Sequence, residues 1–230
     1  MMNFKIAILL MVLASFSCGV SKKNSSSEKT TYKYLALGDS YTIGESVCSD
    51  CNYPKQLADS LNNILKEKTS VKIIAKTGWT TTDLLSAIAS ENPSKDYDLV
   101  TLLIGVNNQY QGKPFSLYEE EFPKLLDMAI AFAKGKTKNV IVLSIPDYAF
   151  TPFGQKSGKG EKITSELMKY NAFAKKIANE KGVHFENITP ITQKGLENQA
   201  LVASDGLHPS AVAYKKFVEK IFTTGAEILN

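Results

Sequence analysis

Two apolar runs in the middle of the chain, residues 99–104 and 140–145, constrain it most. They are apolar almost residue after residue instead of at every second position. Strands of that kind are buried on both faces, the condition of a parallel sheet covered by helices on either side. Residues 32–37 and 71–75 and a weaker run at 183–188 supply three more strands. The expectation is one α/β domain around a central parallel sheet of about five strands. Helical spacing fills the gaps. Residues 53–68 place Leu57, Leu61, Ile64 and Leu65 on one face, and residues 81–89 and 163–179 form two more helices. A capping box at Ser116 and Glu119 opens a helix to about Lys134, and Pro209 opens the last one. The 230 residues, 43% of them hydrophobic, suffice for a single core, and there is no internal repeat.

The first 31 residues read differently. Lys5 precedes an apolar run over 6–13, then small residues lead to Cys18, the layout of an export signal over 1–17. The run is too short to span a bilayer as a permanent helix. Ala14-Ser15-Phe16-Ser17-Cys18 resembles a bacterial lipobox, in which the cysteine is lipidated and becomes the mature N-terminus. Phe16 departs from the small residue usual there, and an ordinary secretory signal is the alternative. Residues 18–31, whose stretch from Ser21 is rich in Ser and Lys, read as a flexible tether, with 32–230 expected as the folded domain. The protein is thus expected to be exported and held at a bacterial cell envelope (periplasmic or outer surface), touching the membrane only through its lipid.

A net charge of +4 with scattered lysines argues against a nucleic-acid surface. Cys48 and Cys51 are the other cysteines. In an exported protein such a pair defaults to a structural disulfide, with free thiols or a redox role as alternatives. Zinc would need two further ligands, and only His184 and His208 exist. His184 alternates with apolar residues on the last strand and reads as structural.

In a parallel sheet the site lies at the carboxyl ends of the strands. Ser40, Gly78 and Asn107 each fall just past such an end. Asp205 and His208 lie in a polar loop before the last helix. Together these residues supply a hydroxyl to attack, an imidazole to take its proton and a carboxylate to orient the imidazole. Ser40 and Gly78 can offer backbone N–H groups, and Asn107 its side-chain amide, to a developing oxyanion. Singly each has an ordinary reading as turn or loop chemistry.

The order Gly38-Asp39-Ser40, Gly78, Gly105-Val106-Asn107, then Asp205-Gly206-Leu207-His208-Pro209 resembles the SGNH (GDSL-type) hydrolase family over the whole domain. The resemblance implies a three-layer α/β/α, flavodoxin-like fold and ester hydrolysis through an acyl-enzyme. It makes Ser40 the nucleophile and first oxyanion donor, Gly78 and Asn107 the other donors, and Asp205 and His208 the rest of the triad. No metal or cofactor is implied. Tyr41 replaces the leucine that often ends the first motif, and Asn108 stands where the family usually has aspartate. The look is closest to lysophospholipase-like or arylesterase-like bacterial members.

Two loops, 108–115 and 146–162, are expected to shape the pocket, the second as a mobile flap. Tyr148, Phe150 and Trp79 are candidate substrate-binding residues, with Tyr110, Phe115 and Phe153 in the same loops. The expected substrate is a small-molecule ester, of a lipid or a small acyl group. The alternatives are a carbohydrate or peptidoglycan O-acetylesterase or acetyltransferase, and a surface lipoprotein that binds without turnover.

Overall fold

The computed structural model describes residues 31–230, together with Met1. The expected signal peptide, Cys18 and the tether up to residue 30 lie outside the described residues. Thr31, read as the end of the tether, instead opens the first strand.

Five strands form one all-parallel sheet in the order β2-β1-β3-β4-β5, namely Lys68–Ala75, Thr31–Gly38, Leu99–Leu103, Val140–Leu143 and His184–Glu186. α2 (Tyr53–Asn62) and α9 (Ala211–Leu229) pack together on one face; α3 (Thr81–Glu91), α5 (Phe115–Phe132) and α7 (Gly160–Glu180) cover the other. The inner strands β3 and β4 are buried at every position, as their unbroken apolar runs require. Thr101, inside β3, is satisfied by the hydroxyls of Tyr34 at 2.8 Å and Tyr53 at 3.2 Å.

The chain runs from β1 outward to β2, then returns across β1 to β3. That reversal opens a crevice at the carboxyl ends of the strands, where ligands bind in such sheets. Gly38 lies level with both Ala75 and Leu103, so the three strands end together. Three short helices sit near these ends: α1 (Ser40–Ile43), α4 (Val106–Tyr110) and α6 (Pro152–Lys156). A fourth, α8 (Thr189–Thr192), follows β5.

Several element bounds differ from expectation. α2 stops at Asn62, and Ile64 is 55% exposed instead of inward. Asn62 Oδ1 accepts the Thr69 N–H at 2.6 Å, and β2 pairs with β1 along eight residues, so sheet pairing claims Lys68. α5 starts at Phe115 behind Pro114, without the Ser116/Glu119 capping box. Burial decides that start, because the Phe115 ring packs edge-on against Tyr170 at 4.9 Å. α9 is capped by Ser210, whose hydroxyl accepts the Ala213 N–H at 3.2 Å; Pro209 sits before it, bridged to Val202.

Of the expected flap, residues 146–154 are largely packed against the domain, and residues 155–162 are mostly exposed. A single 3₁₀ turn, Tyr148–Phe150, is capped by Asp147, which also accepts the Thr164 hydroxyl at 2.8 Å. Thr151 caps α6 through the Gly154 N–H, and α7 begins at Gly160, ahead of the expected Ile163.

Candidate active site

Ser40 is the first residue of α1, directly after β1, and is 4% exposed. Asp39 caps the helix, its Oδ1 accepting the Tyr41 N–H at 3.0 Å. A first-turn N–H has no partner within its helix, so Ser40 presents both its hydroxyl and a backbone donor. The helix can fold this tightly over β1 because residue 38 is glycine. A Cβ there would stand 2.1 Å from Thr42 Oγ1 and 2.4 Å from the Leu103 carbonyl oxygen.

Asp205 and His208 are organised by their own turn. Asp205 Oδ1 accepts the N–H groups of Leu207 at 2.9 Å and His208 at 3.0 Å. Its Oδ2 lies 2.6 Å from His208 Nδ1. That bond assigns the proton to Nδ1 and leaves Nε2 as the acceptor. Burial pushes the Asp205 carboxyl up, but hydrogen bonds from His208, Ser46 and the two backbone N–H groups outweigh it and hold it at about 2. The pair therefore carries a carboxylate at neutral pH. The Tyr41 ring stands edge-on to the imidazole at 5.8 Å. Ser40 and His208 line one cavity, although no hydrogen bond joins their side chains here. Catalytic hydrogen bonds often close only in the substrate complex.

Gly78 follows β2 in a turn where the Trp79 N–H meets the Lys76 carbonyl at 3.2 Å. Its φ of +85° suits glycine, and no atom lies within 4 Å of where a Cβ would stand. Asn107 sits in the first turn of α4 and donates one amide proton to the Trp79 carbonyl at 3.0 Å, leaving the other free. Gln111 donates to the Gly78 carbonyl at 2.9 Å, so the two donor loops are tied twice. Asn108 is buried and turned away. It accepts the Thr81 N–H at 3.0 Å and donates to the Thr81 hydroxyl at 2.6 Å, anchoring α4 to the start of α3.

The cavity is about 310 Å³ and brings together Ser40, Gly78, Asn107 and His208. Tyr110, Tyr148 and Phe153 wall it, the Tyr110 ring meeting Tyr148 at 6.0 Å and Phe153 at 6.2 Å. Of the expected substrate-binding residues, Tyr148 lines this cavity, and Trp79 and Phe150 do not. Trp79 contributes its carbonyl. Phe150 lies two residues beyond Tyr148 in a 3₁₀ turn, about 240° around the axis, and lines a separate groove of about 900 Å³ that Ser40, Asp205 and His208 do not line. Phe115 is in the aromatic core. Cys48 and Cys51 are joined by a disulfide in the loop between α1 and α2. Ser46, in the same loop, donates to Asp205; nothing local in the sequence marks it.

Several known proteins resemble this chain. A multidomain esterase of Ruminococcus flavefaciens is 26% identical over 90% of this chain, and the chain spans 30% of that relative's length. Solved structures superpose at fold level. A lipase/acylhydrolase from Enterococcus faecalis has a TM-score of 0.64 at 19% identity, covering 84% of this chain and 94% of that one. An acetyl xylan esterase from Geobacillus stearothermophilus has a TM-score of 0.59 at 18% identity, covering 84% and 94%. The family model described as GDSL-like Lipase/Acylhydrolase matches residues 36–216, from β1 into α9. On that match, which takes in every residue of the cavity's polar wall, the chain belongs to the GDSL-like lipase/acylhydrolase family.

Proposed function

We propose that the chain is a serine esterase that hydrolyses carboxylic esters of short acyl groups through Ser40, His208 and Asp205. The observation that carries this reading is the Asp205–His208 bond, which leaves Nε2 as an acceptor in a cavity shared with Ser40. Ser40 Oγ attacks the ester carbonyl as its proton passes to His208 Nε2. The oxyanion takes the N–H groups of Ser40 and Gly78 and the free amide proton of Asn107. His208 returns the proton to the departing alcohol, leaving an acyl-serine. Water then repeats the sequence in reverse order, with His208 as base, releasing the acid. At about 310 Å³ the cavity is at the small end for a ligand site, which favours short acyl chains.

A carbohydrate O-acetylesterase is the second reading. The same aromatic wall also borders a neighbouring cleft of about 540 Å³, lined beyond it by Gln109, Lys156 and Lys162 among others. Tyr110, exposed at the lip, offers a ring face to a sugar. The acetyl xylan esterase among the fold neighbours is in keeping with this reading. The lipobox-like segment supports attachment to the cell envelope through Cys18.

Hydrolysis of p-nitrophenyl esters from acetate to palmitate, beside acetylated xylo-oligosaccharides, tests both readings. The expected result is a peak at acetate to butyrate and a loss of at least ~1,000-fold in kcat for Ser40→Ala. Activity untouched by that substitution would remove Ser40 as nucleophile. Acetate release from the oligosaccharide exceeding that from the aryl ester would put the second reading first.

A further inference from the structure

Asp205 Oδ2, the oxygen that faces His208 Nδ1, accepts a second hydrogen bond: the Ser46 hydroxyl donates to it at 2.7 Å. The two residues are 159 positions apart. The loop that carries Ser46 is built to deliver it. The N–H groups of Gly44 and Glu45 both meet the Ser40 carbonyl at 3.1 Å, so the chain leaves α1 in a tight turn. Ser46 then adopts φ +65°, a conformation few residues other than glycine take up. Beyond it, Asn52 Nδ2 donates to the carbonyls of Ile43 at 3.1 Å and Ser49 at 2.9 Å, and the Cys48–Cys51 disulfide closes the arm. A strained residue held by so many ties is a reason to look for a role.

We propose that Ser46 is a positioning residue for the Asp205–His208 pair, setting how much of the carboxylate's charge the imidazole feels. The proposal rests on the serine-esterase reading of the site. Two backbone N–H groups on Oδ1 already fix the carboxylate plane, so the serine is not needed to hold it. What Ser46 adds is a proton donor on the very oxygen that faces the imidazole. Donation to Oδ2 lowers its basicity, and a less basic carboxylate stabilises the imidazolium less. Ser46 thereby tempers how strongly the carboxylate holds charge on the imidazole, whose neutral form accepts the Ser40 proton. The other ionisable groups around the pair are Tyr41, packed on His208, Asp147 and Tyr148, which line a small cavity with it, and Tyr214, which feels the Asp205 charge. Asp39 lies beneath Ser40, and Glu45, beside Ser46, accepts the Thr77 hydroxyl. None of these hydrogen-bonds to Asp205.

The chain has two histidines, so the test can read His208 directly. The ring Cε1–H signals of the full chain are titrated by NMR in the wild type, Ser46→Ala and Ser46→Gly, with His184 as internal reference. Glycine removes the hydroxyl and relieves the positive φ, so it guards against a misfolded loop. Both variants are expected to raise the His208 midpoint by a few tenths of a pH unit, on the order of a single hydrogen bond's influence. His184 should not move. The acid limb of kcat/KM for p-nitrophenyl acetate should shift the same way, with KM unchanged. A His208 midpoint that stays put or falls in both variants overturns the proposal. Because the titration needs no turnover, an inactive wild type would defeat the esterase reading separately, with Ser46 still judged by the His208 midpoint.

Discussion

Asp39 is a carboxylate where a carboxylate is costly. It is fully buried beneath Ser40, its Oδ1 capping α1 and its Oδ2 without a partner. Burial pushes its carboxyl up to about 7, against the smaller pull of backbone N–H groups. An unfolded chain releases this proton near pH 4, so between about pH 4 and 7 the native state holds a proton that the unfolded state has lost. Its contribution to stability is thus present in full at low pH and is lost as pH rises through about 7. Asp205, held at about 2, has the opposite sign: its contribution is present above about pH 4 and is lost as pH falls through 2. An asparagine in place of Asp39 would keep the cap without the charge. Urea midpoints at pH 5 and pH 8 should therefore show Asp39→Asn gaining on the wild type at pH 8; equal differences at the two pH values would contradict an Asp39 that ionises near neutrality. The capping role was latent in Gly-Asp-Ser as turn chemistry, but the missing partner on Oδ2 depends on what packs over it. Likewise Asn107 was legible as a donor, while its neighbour Asn108 acquires its anchoring role only when α3 lies alongside.

The element that matters most is α1, four residues long and too short to be stable by itself. It is held by its Asp39 cap and by close approach to β1 at Gly38. Gly38→Ala would drive a Cβ into Thr42 and the Leu103 carbonyl, and the second of these is backbone and cannot swing aside. The expected cost is about 3 kcal/mol, the upper range for overpacking, with α1 and Ser40 displaced. A urea midpoint unchanged by this substitution would show that α1 sits farther from β1 than described. Strands β3 and β4 were legible because an unbroken apolar run has few other uses. The starts of α5 and α9 were not. In α5 the pull of Phe115 into the Tyr170–Phe173 cluster prevails over a capping box that satisfies only local donors. Helical spacing across 53–68 misled for a related reason, since β1 offered Lys68 and Thr69 a sheet partner that no local pattern reveals.

At the scale of the molecule, the two ends of the domain meet because α9 packs on α2, the helix that follows the loop after Ser40. Gln56 of α2 donates to the Ala211 carbonyl at 3.1 Å, and the Phe153 N–H meets the Gly206 carbonyl at 2.9 Å, stapling the His208 loop from both sides. Among the described residues no helix is long and apolar enough to cross a membrane. The proposed envelope attachment rests on the lipobox-like sequence around Cys18. Cys18→Ala should abolish palmitate incorporation and move the protein from the membrane fraction to the soluble one; retention in membranes without label would defeat lipid anchoring. The sequence by itself determined the layers, the parallel sheet and the residue types available to the site, because burial on two faces and the chemistry of Ser, His and Asp both act locally. Tertiary structure alone decided which aromatics wall the cavity, why residues 146–154 pack down after β4, and that Ser46 reaches Asp205. Those outcomes depend on distances between residues far apart in the chain, set by how the sheet and helices pack, and no local pattern contains them.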